Sequence, residues 1–132
     1  MEGIAVGLVG QSEMVVHEEN TAQHLGSGNV PVLATPEMIR LMEKAAVAAV
    51  DHLLPGSYRT VGVAVNVRHL AATPVGMRVR AQAELIAIDG RELTFRVEAD
   101  EEVEGIGQGE HKRVIIDLDR FKARVKAKKG QS

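Results

Sequence analysis

The chain has 132 residues, and this length suits a single domain spanning residues 1–132. Aromatic residues make up only 2% and the formal net charge is -2, so the core must be aliphatic and neither nucleic acid nor membrane is an expected partner. The absence of cysteine excludes a disulfide framework, a thiol nucleophile and a Cys-ligated metal.

The N-terminal third predicts a strand, a short helical turn and a loop. The first ten residues are apolar but lack the basic start and cleavage-like end of a signal peptide, so we expect a cytoplasmic protein. A strand is predicted near residues 12–17 and a helical turn over 18–25. The glycine-rich residues 26–29 then form a loop, which is either a plain connector or a lid over the segment that follows.

A long amphipathic helix is predicted from Thr35 to Leu54. Thr35 is the expected N-cap, Pro36 suits the first helical position, and Pro55 with Gly56 ends the helix. The alanine-rich second half makes the helix slim, so another element can pack closely against it. Its apolar face has helical period and comprises Met38, Ile39, Leu41, Met42, Ala45, Ala46, Ala49, Val50 and Leu53.

Glu43 interrupts this apolar face. It shares the stripe of Ile39, Ala46 and Val50, where a carboxylate must be paired, protonated or turned to a cavity. Alternatively, Glu43 lies at the edge of the stripe and reaches water or an arginine. Thr35 is two turns earlier, so both side chains can border one groove.

The remaining chain predicts strands followed by a basic segment. Alternating apolar residues predict strands near 61–69, 77–87, 93–99 and 106–118, with Asp89-Gly90 as a hairpin turn. Asp119 is the expected cap of the basic segment 120–129. This order predicts an α+β fold in which the helix lies across an antiparallel meander. One slim helix cannot cover so wide a sheet, which predicts a homodimer or a dimer of dimers.

Several motifs resemble the fluoroacetyl-CoA thioesterase branch of the hotdog-fold thioesterases, over roughly residues 12 to 126. The resemblance depends chiefly on three residues together: the threonine before the helix, the glutamate within it and the histidine that ends the next strand. The matching segments are VLAT at 32–35, LME at 41–43, GVAVNVRH at 62–69, AATPVG at 71–76, GQGEHKR at 107–113 and DRFKARV at 119–125.

The resemblance implies a hotdog fold, with a long central helix wrapped by a curved antiparallel sheet and sites at a dimer interface. The family's catalytic residues would correspond to Thr35, Glu43 and His69, and its thioester-binding glycine would correspond to Gly62. The fluoroacetate enzyme has a longer, phenylalanine-bearing lid before its threonine. Residues 26–30 are short and contain no phenylalanine, which indicates another small acyl group.

We therefore expect an enzyme that hydrolyses a small acyl-CoA without a cofactor. Arg113 shares a strand face with His111 and is a candidate substrate-binding residue, although the two could instead form a surface pair. The residues alone favour another interpretation, in which His69 is a strand-end histidine that donates to a local carbonyl. The scattered histidines have no metal-ligand spacing, so no metal site is expected.

Two other functions remain open. One is a non-catalytic module that binds acyl-CoA or CoA on the same fold. The other is an enoyl-CoA hydratase, which ranks last because the Asp/His pair typical of that class was not found in the sequence.

Overall fold

A computed structural model describes residues 2–131, so Met1 and Ser132 of the predicted domain lie outside the described residues. No helix in residues 2–131 is long and apolar enough to cross a membrane. A single turn of 3-10 helix, Asp51–Leu53, continues the central helix. The strands and α-helices are β1 Val9–Val15, α1 Ala22–Leu25, α2 Thr35–Val50, β2 Tyr58–His69, β3 Arg78–Asp89, β4 Glu92–Asp100, β5 Gly105–Asp117 and α3 Leu118–Gly130.

The five strands of residues 2–131 form one antiparallel sheet in the order β1-β3-β4-β5-β2. The α+β prediction is confirmed, and the sheet curls around α2. The predicted four-strand meander is wrong in one respect. Only β3, β4 and β5 follow one another across the sheet, whereas β2 pairs with β5 at the far edge. Residue alternation along one strand does not encode this long-range pairing.

The core lies between α2 and the inward faces of β3 and β4. The predicted apolar face of α2 is confirmed, because seven of its residues are buried, from Met38 to Val50. The alanines also allow the expected close approach: a Cβ on Gly10 of β1 would collide with the backbone of Ala45 and Ala49. The sheet contributes the fully or nearly fully buried residues Val79, Ala81, Ala83, Leu85, Leu93, Phe95, Val97 and Ala99.

Both predicted helix caps are wrong by one or two residues. Ala34, in extended conformation, is the N-cap of α2, and Thr35 is already helical. Asp117 caps α3 by accepting hydrogen bonds from the backbone N–H groups of Asp119 and Arg120. Asp119 is thus one of the capped residues. The hydroxyl of Thr35 is thereby available for another partner.

The outer edge strand β2 differs from its sequence pattern. Its alternating valines predict an inward face, yet Val63 and Val65 are 55% and 42% exposed. The pairing register with β5 shifts between Gly62 and Ala64, and this bulge changes the direction of the following side chains. An apolar strip therefore lies on an unpaired sheet edge within the described part of the chain.

Candidate active site

Thr35 and His69 are in contact where the N-terminus of α2 lies next to the C-terminal end of β2. Thr35 is the first residue of α2, and His69 is the last residue of β2. The distance between Thr35 Oγ1 and His69 Nδ1 is 2.8 Å, within hydrogen-bond range. The structure therefore joins two of the three predicted catalytic residues. Their catalytic role stays a prediction.

The environment of His69 favours a neutral imidazole. Burial lowers its pKa from the ordinary histidine value, and the backbone of Ala71 opposes this shift. A neutral ring in the Nε2–H tautomer can accept the Thr35 hydroxyl proton at Nδ1. The pair borders a cleft of about 370 Å³, whose other lining residues include Ala22, Ser27, Gly28, Val30, Val32, Leu33 and Leu70.

Glu43 lies in a second cluster, farther along α2. Its side chain is 41% exposed, and Oε2 lies 3.5 Å from Nη1 of Arg113, whose own side chain is 8% exposed. Glu43 is thus at the edge of the apolar stripe with an arginine partner, as in the alternative interpretation of the sequence. It borders a separate cleft of about 380 Å³ together with Lys44, Val47, Ala48 and Arg113.

Gly62 makes room for this carboxylate. A Cβ at Gly62 would lie 2.8 Å from Glu43 Oε2 and 3.1 Å from Cε1 of His111. Only glycine therefore lets Glu43 lie against the backbone of β2 in this position. The predicted contact between the Gly62 backbone N–H and a thioester stays a prediction.

His111 and Arg113 are not a surface pair, because both are buried. His111 Nδ1 lies 2.8 Å from the backbone oxygen of Ala64, to which only an N–H can donate. Nε2 is then free to accept from Nη1 of Arg113 at 3.0 Å. Burial lowers the pKa of His111 and Arg113 adds to this, against the opposing effects of Ala64 and Glu43. His111 is therefore a neutral acceptor, and its 3.9 Å contact with Glu43 is no ion pair.

The two clusters are separate within one chain. Thr35 and Glu43 are eight residues apart on α2, which corresponds to an axial distance of roughly 12 Å. Glu43 also faces Gly62 and Arg113, whereas Thr35 faces His69. One chain thus brings together Thr35 with His69, and separately Glu43 with Gly62 and Arg113, but not all five.

Two residues beside Arg113 were missed by the sequence analysis. Thr60 accepts a hydrogen bond from Arg113 Nε at 2.8 Å, and Asp51 accepts one from the Thr60 hydroxyl at 2.5 Å. The alternation of β5 contained a signal, since Arg113 is in the same inward register as Ile115 and so needs buried partners. Among residues 2–131, the structure shows no group of three His, Asp or Glu side chains able to hold a metal.

Comparison with known proteins gives a consistent result. The family model described as fluoroacetyl-CoA-specific thioesterase matches residues 16–119. The fluoroacetyl-CoA thioesterase of Streptantibioticus cattleyicolor is 38% identical over 133 residues, covering 96% of each chain.

Solved structures agree with this result. A structure of the fluoroacetyl-CoA thioesterase superposes with a TM-score of 0.88 at 38% identity, covering 96% of this chain and 98% of that one. A Thermus thermophilus thioesterase superfamily member gives 0.92 at 33% identity, covering 99% and 97%. A hot-dog-like protein from Thermanaerovibrio acidaminovorans gives 0.85 at 24% identity, covering 93% and 91%, and supports the fold alone.

These matches confirm the predicted hotdog fold and the predicted thioesterase class. Within that class, the chain belongs to the fluoroacetyl-CoA-specific thioesterase family.

Proposed function

We propose that this protein hydrolyses a small acyl-CoA thioester to a free acid and CoA. The observation that carries the proposal is the 2.8 Å contact between Thr35 Oγ1 and His69 Nδ1 at the wall of a cleft, in a chain of this family. A hydroxyl paired with a neutral imidazole can transfer a proton during attack on a thioester. The surroundings of the pair suit this chemistry, because the N-terminus of α2 stabilises negative charge on a carbonyl oxygen.

A carboxylate is the third group of the proposed mechanism. In hydrolysis, a C–O bond forms at the acyl carbon, the C–S bond breaks, and the departing thiolate takes a proton. Glu43 supplies the carboxylate, either as the nucleophile or as the base that activates water. Arg113 stabilises the negative charge of this carboxylate. His69 passes the Thr35 hydroxyl proton to the departing thiolate. Thr35 regains a proton from the water that Glu43 activates or, if Glu43 is the nucleophile, from the water that hydrolyses the acyl-Glu43 intermediate.

A second copy of the chain completes the proposed site. Glu43 is too far along α2 to reach the Thr35 hydroxyl of its own chain, so the glutamate comes from the partner of a homodimer. The exposed apolar strip on β2 supports such an interface, together with Val47 of α2, which is 36% exposed. A cytoplasmic location is part of this proposal.

The acyl cleft suits a small aliphatic group. Its wall over residues 26–32 is made by Ser27, Gly28, Val30 and Val32, with no aromatic ring. Structures of the fluoroacetyl-CoA thioesterase contain acetyl-CoA in one case, and fluoroacetate with CoA in another. We expect this chain to accept short, unfluorinated acyl groups without the fluoroacetyl preference of that enzyme.

A panel of acyl-CoA esters tests the activity. Release of free thiol is measured for acetyl, fluoroacetyl, propionyl, butyryl and longer esters, with wild type and Glu43→Gln in parallel. We expect turnover that is greatest for short chains and is lost in the variant. No turnover on any ester would refute the proposed function. Equal turnover in both proteins would remove Glu43 from the mechanism.

Mixing two inactive variants tests the shared site. Thr35→Ala and Glu43→Gln are expressed together, so that half of the dimers contain one copy of each. If Thr35 and Glu43 of different copies form one site, each mixed dimer has one intact site, and about a quarter of wild-type activity returns. No recovery above the separate variants, or a monomeric mass by light scattering, would refute this arrangement.

Labelled water separates the two roles of Glu43. A single turnover in H₂¹⁸O is followed by mass spectrometry of the peptide that contains Glu43. A nucleophilic Glu43 forms a mixed anhydride with the acyl group, and water that attacks the Glu43 carbonyl of this anhydride leaves ¹⁸O in the peptide. A general base puts the label in the product acid alone, so ¹⁸O in the peptide identifies Glu43 as the nucleophile.

One observation favours a second function, a non-catalytic CoA-binding module. Without an aromatic lid in residues 26–30, nothing bulky closes over an acyl group beside Thr35. Calorimetric binding of CoA esters with no turnover would support this module, and no binding of any ester would reject it.

A further inference from the structure

Thr60 clamps the Arg113 guanidinium group with two hydrogen bonds. Arg113 Nε donates to Thr60 Oγ1 at 2.8 Å, and Arg113 Nη2 donates to the backbone oxygen of Thr60 at 3.0 Å. Two bonds to one residue restrict both the position and the tilt of the planar guanidinium group. Because Arg113 and Thr60 are both buried, water offers little competition for these bonds.

Asp51 determines the direction in which the Thr60 hydroxyl points. Its Oδ1 accepts the Thr60 hydroxyl proton at 2.5 Å, and its Oδ2 accepts the Thr60 backbone N–H at 3.2 Å. The single proton of the hydroxyl is therefore directed to Asp51, so the oxygen lone pairs remain for Arg113. Asp51 is the C-cap of α2, where a negative charge is unfavourable to the helix dipole. Helix stability therefore does not account for the carboxylate.

The other side of the guanidinium group faces Glu43. Nη1 lies 3.0 Å from His111 Nε2 and 3.5 Å from Glu43 Oε2. His111 is itself fixed, since its Nδ1 donates to Ala64. Among the residues within hydrogen-bond distance of Arg113, Thr60 and His111 are buried, whereas Glu43 is partly exposed. The position of Nη1 therefore determines where the Glu43 carboxylate lies.

We propose that Asp51 and Thr60 are positioning residues, which hold Arg113 so that its Nη1 places the Glu43 carboxylate for the reaction. The role of Glu43 in this proposal rests on the proposed function. The clamp itself does not depend on it, and so the two can be tested separately.

Thr60→Val is the principal test, because valine has nearly the same shape and lacks the hydroxyl. We expect kcat to fall on the order of 10- to 100-fold, as for a reactive group displaced by a fraction of an ångström to one ångström. The KM for acyl-CoA should change little, because Thr60 and Arg113 are both buried and in this proposal act on Glu43 rather than on the substrate. Thr60→Ser retains the hydroxyl and should restore most of kcat. Asp51→Asn should give an intermediate loss, because its amide can still accept one hydrogen bond.

Thr94→Val is the matched control. Thr94 is on β4, outside this chain of contacts, so the same substitution there should leave kcat unchanged. Melting temperatures of all variants show whether a loss of rate merely follows a loss of folded protein. A normal kcat in folded Thr60→Val, or failure of Thr60→Ser to restore the rate, would overturn the proposal.

Nuclear magnetic resonance tests the position of the Arg113 guanidinium group without an activity assay. The ¹⁵N signal of His111 Nε2 and the ¹³C carboxylate signal of Glu43 report on their contacts with Nη1. Both should shift in Thr60→Val and stay close to wild type in Thr60→Ser and Thr94→Val. Unchanged signals in Thr60→Val would overturn the proposal even if the wild-type protein proved inactive. An inactive wild type with shifted signals would refute the proposed function alone and support the clamp.

Discussion

Gly62→Ala is the sharpest single perturbation of the Glu43 cluster. The new Cβ would lie 2.8 Å from Glu43 Oε2, so the carboxylate must retreat by about 0.6 Å to reach ordinary van der Waals separation. It can do so cheaply, because the Glu43 side chain is flexible and 41% exposed. The new Cβ would also lie 3.3 Å from Arg113 Nη1, so the methyl group disturbs both partners of the 3.5 Å contact between Glu43 and Arg113. A displacement of this size predicts a fall in kcat between about 10- and 100-fold.

The fold should tolerate the same change. Alanine is favoured over glycine inside a strand by about 0.5–1 kcal/mol, which offsets a weakened and partly exposed ion pair worth about 0–1 kcal/mol. The buried ring of His111 must also move slightly, because its Cε1 would be 3.1 Å from the new carbon. We therefore expect a melting temperature within about 4 °C of wild type.

The assay compares Gly62→Ala with a matched control. Gly105→Ala introduces the same methyl group at the start of β5, where a Cβ meets nothing within 4 Å. Thiol release and melting temperature are measured on the same samples of wild type and both variants. Full activity in Gly62→Ala would refute the argument that this close approach positions Glu43. A similar loss in Gly105→Ala would show that the effect is not local.

Glu43, Thr35 and the two buried histidines can each be tested separately. Glu43→Gln should lower kcat by about 10²–10⁴-fold if the carboxylate acts as a base. It should also lower the stability by up to about 1 kcal/mol, because a buried Arg113 loses a partly exposed charged partner; a destabilised variant with full kcat would end the catalytic assignment. Thr35→Ala should lower kcat with no loss of melting temperature, since Ala34 is the N-cap, and Thr35→Ser should retain most of the rate. A normal kcat in folded Thr35→Ala would remove Thr35 from the mechanism. Burial lowers the pKa of His69 and His111, so the unfolded chain binds protons that the folded chain does not. Stability should be complete above the unfolded histidine pKa of about 6.5 and should fall as the pH drops towards the folded pKa values. Urea unfolding at several pH values measures this slope, which should be smaller in His69→Gln, and a flat profile would contradict the assignment.

Local periodicity predicted most of the secondary structure correctly. The 3.6-residue period located α2, and the period of two located β3 and β4 together with their buried faces. These patterns succeed because each element buries one face, and residue spacing alone determines which side chains share that face. The same spacing indicated that Glu43 is unusual within α2, and the structure shows why it is tolerated, at the edge of the stripe beside Arg113.

Sequence patterns were less informative about edges and caps. The valines of β2 alternate like those of a buried strand, but the strand lies at the sheet edge and contains a bulge. Thr35 followed by proline is a good N-cap signal, yet Ala34 takes that position. The hydroxyl of Thr35 instead meets His69, which is 34 residues away in sequence.

Residue patterns were therefore enough to predict the fold class, the family and the residue types of the candidate site. The grouping of these residues depends on tertiary packing. Within one chain, Thr35 pairs with His69, while Glu43 joins Gly62 and Arg113. Tertiary packing also places Thr60 against Arg113, and Asp51 against Thr60. Hydrogen-bond partners are set by the register of β2 on β5 and by the packing of α2 on the sheet. These long-range contacts leave no periodic pattern in the sequence, so residue spacing cannot predict them.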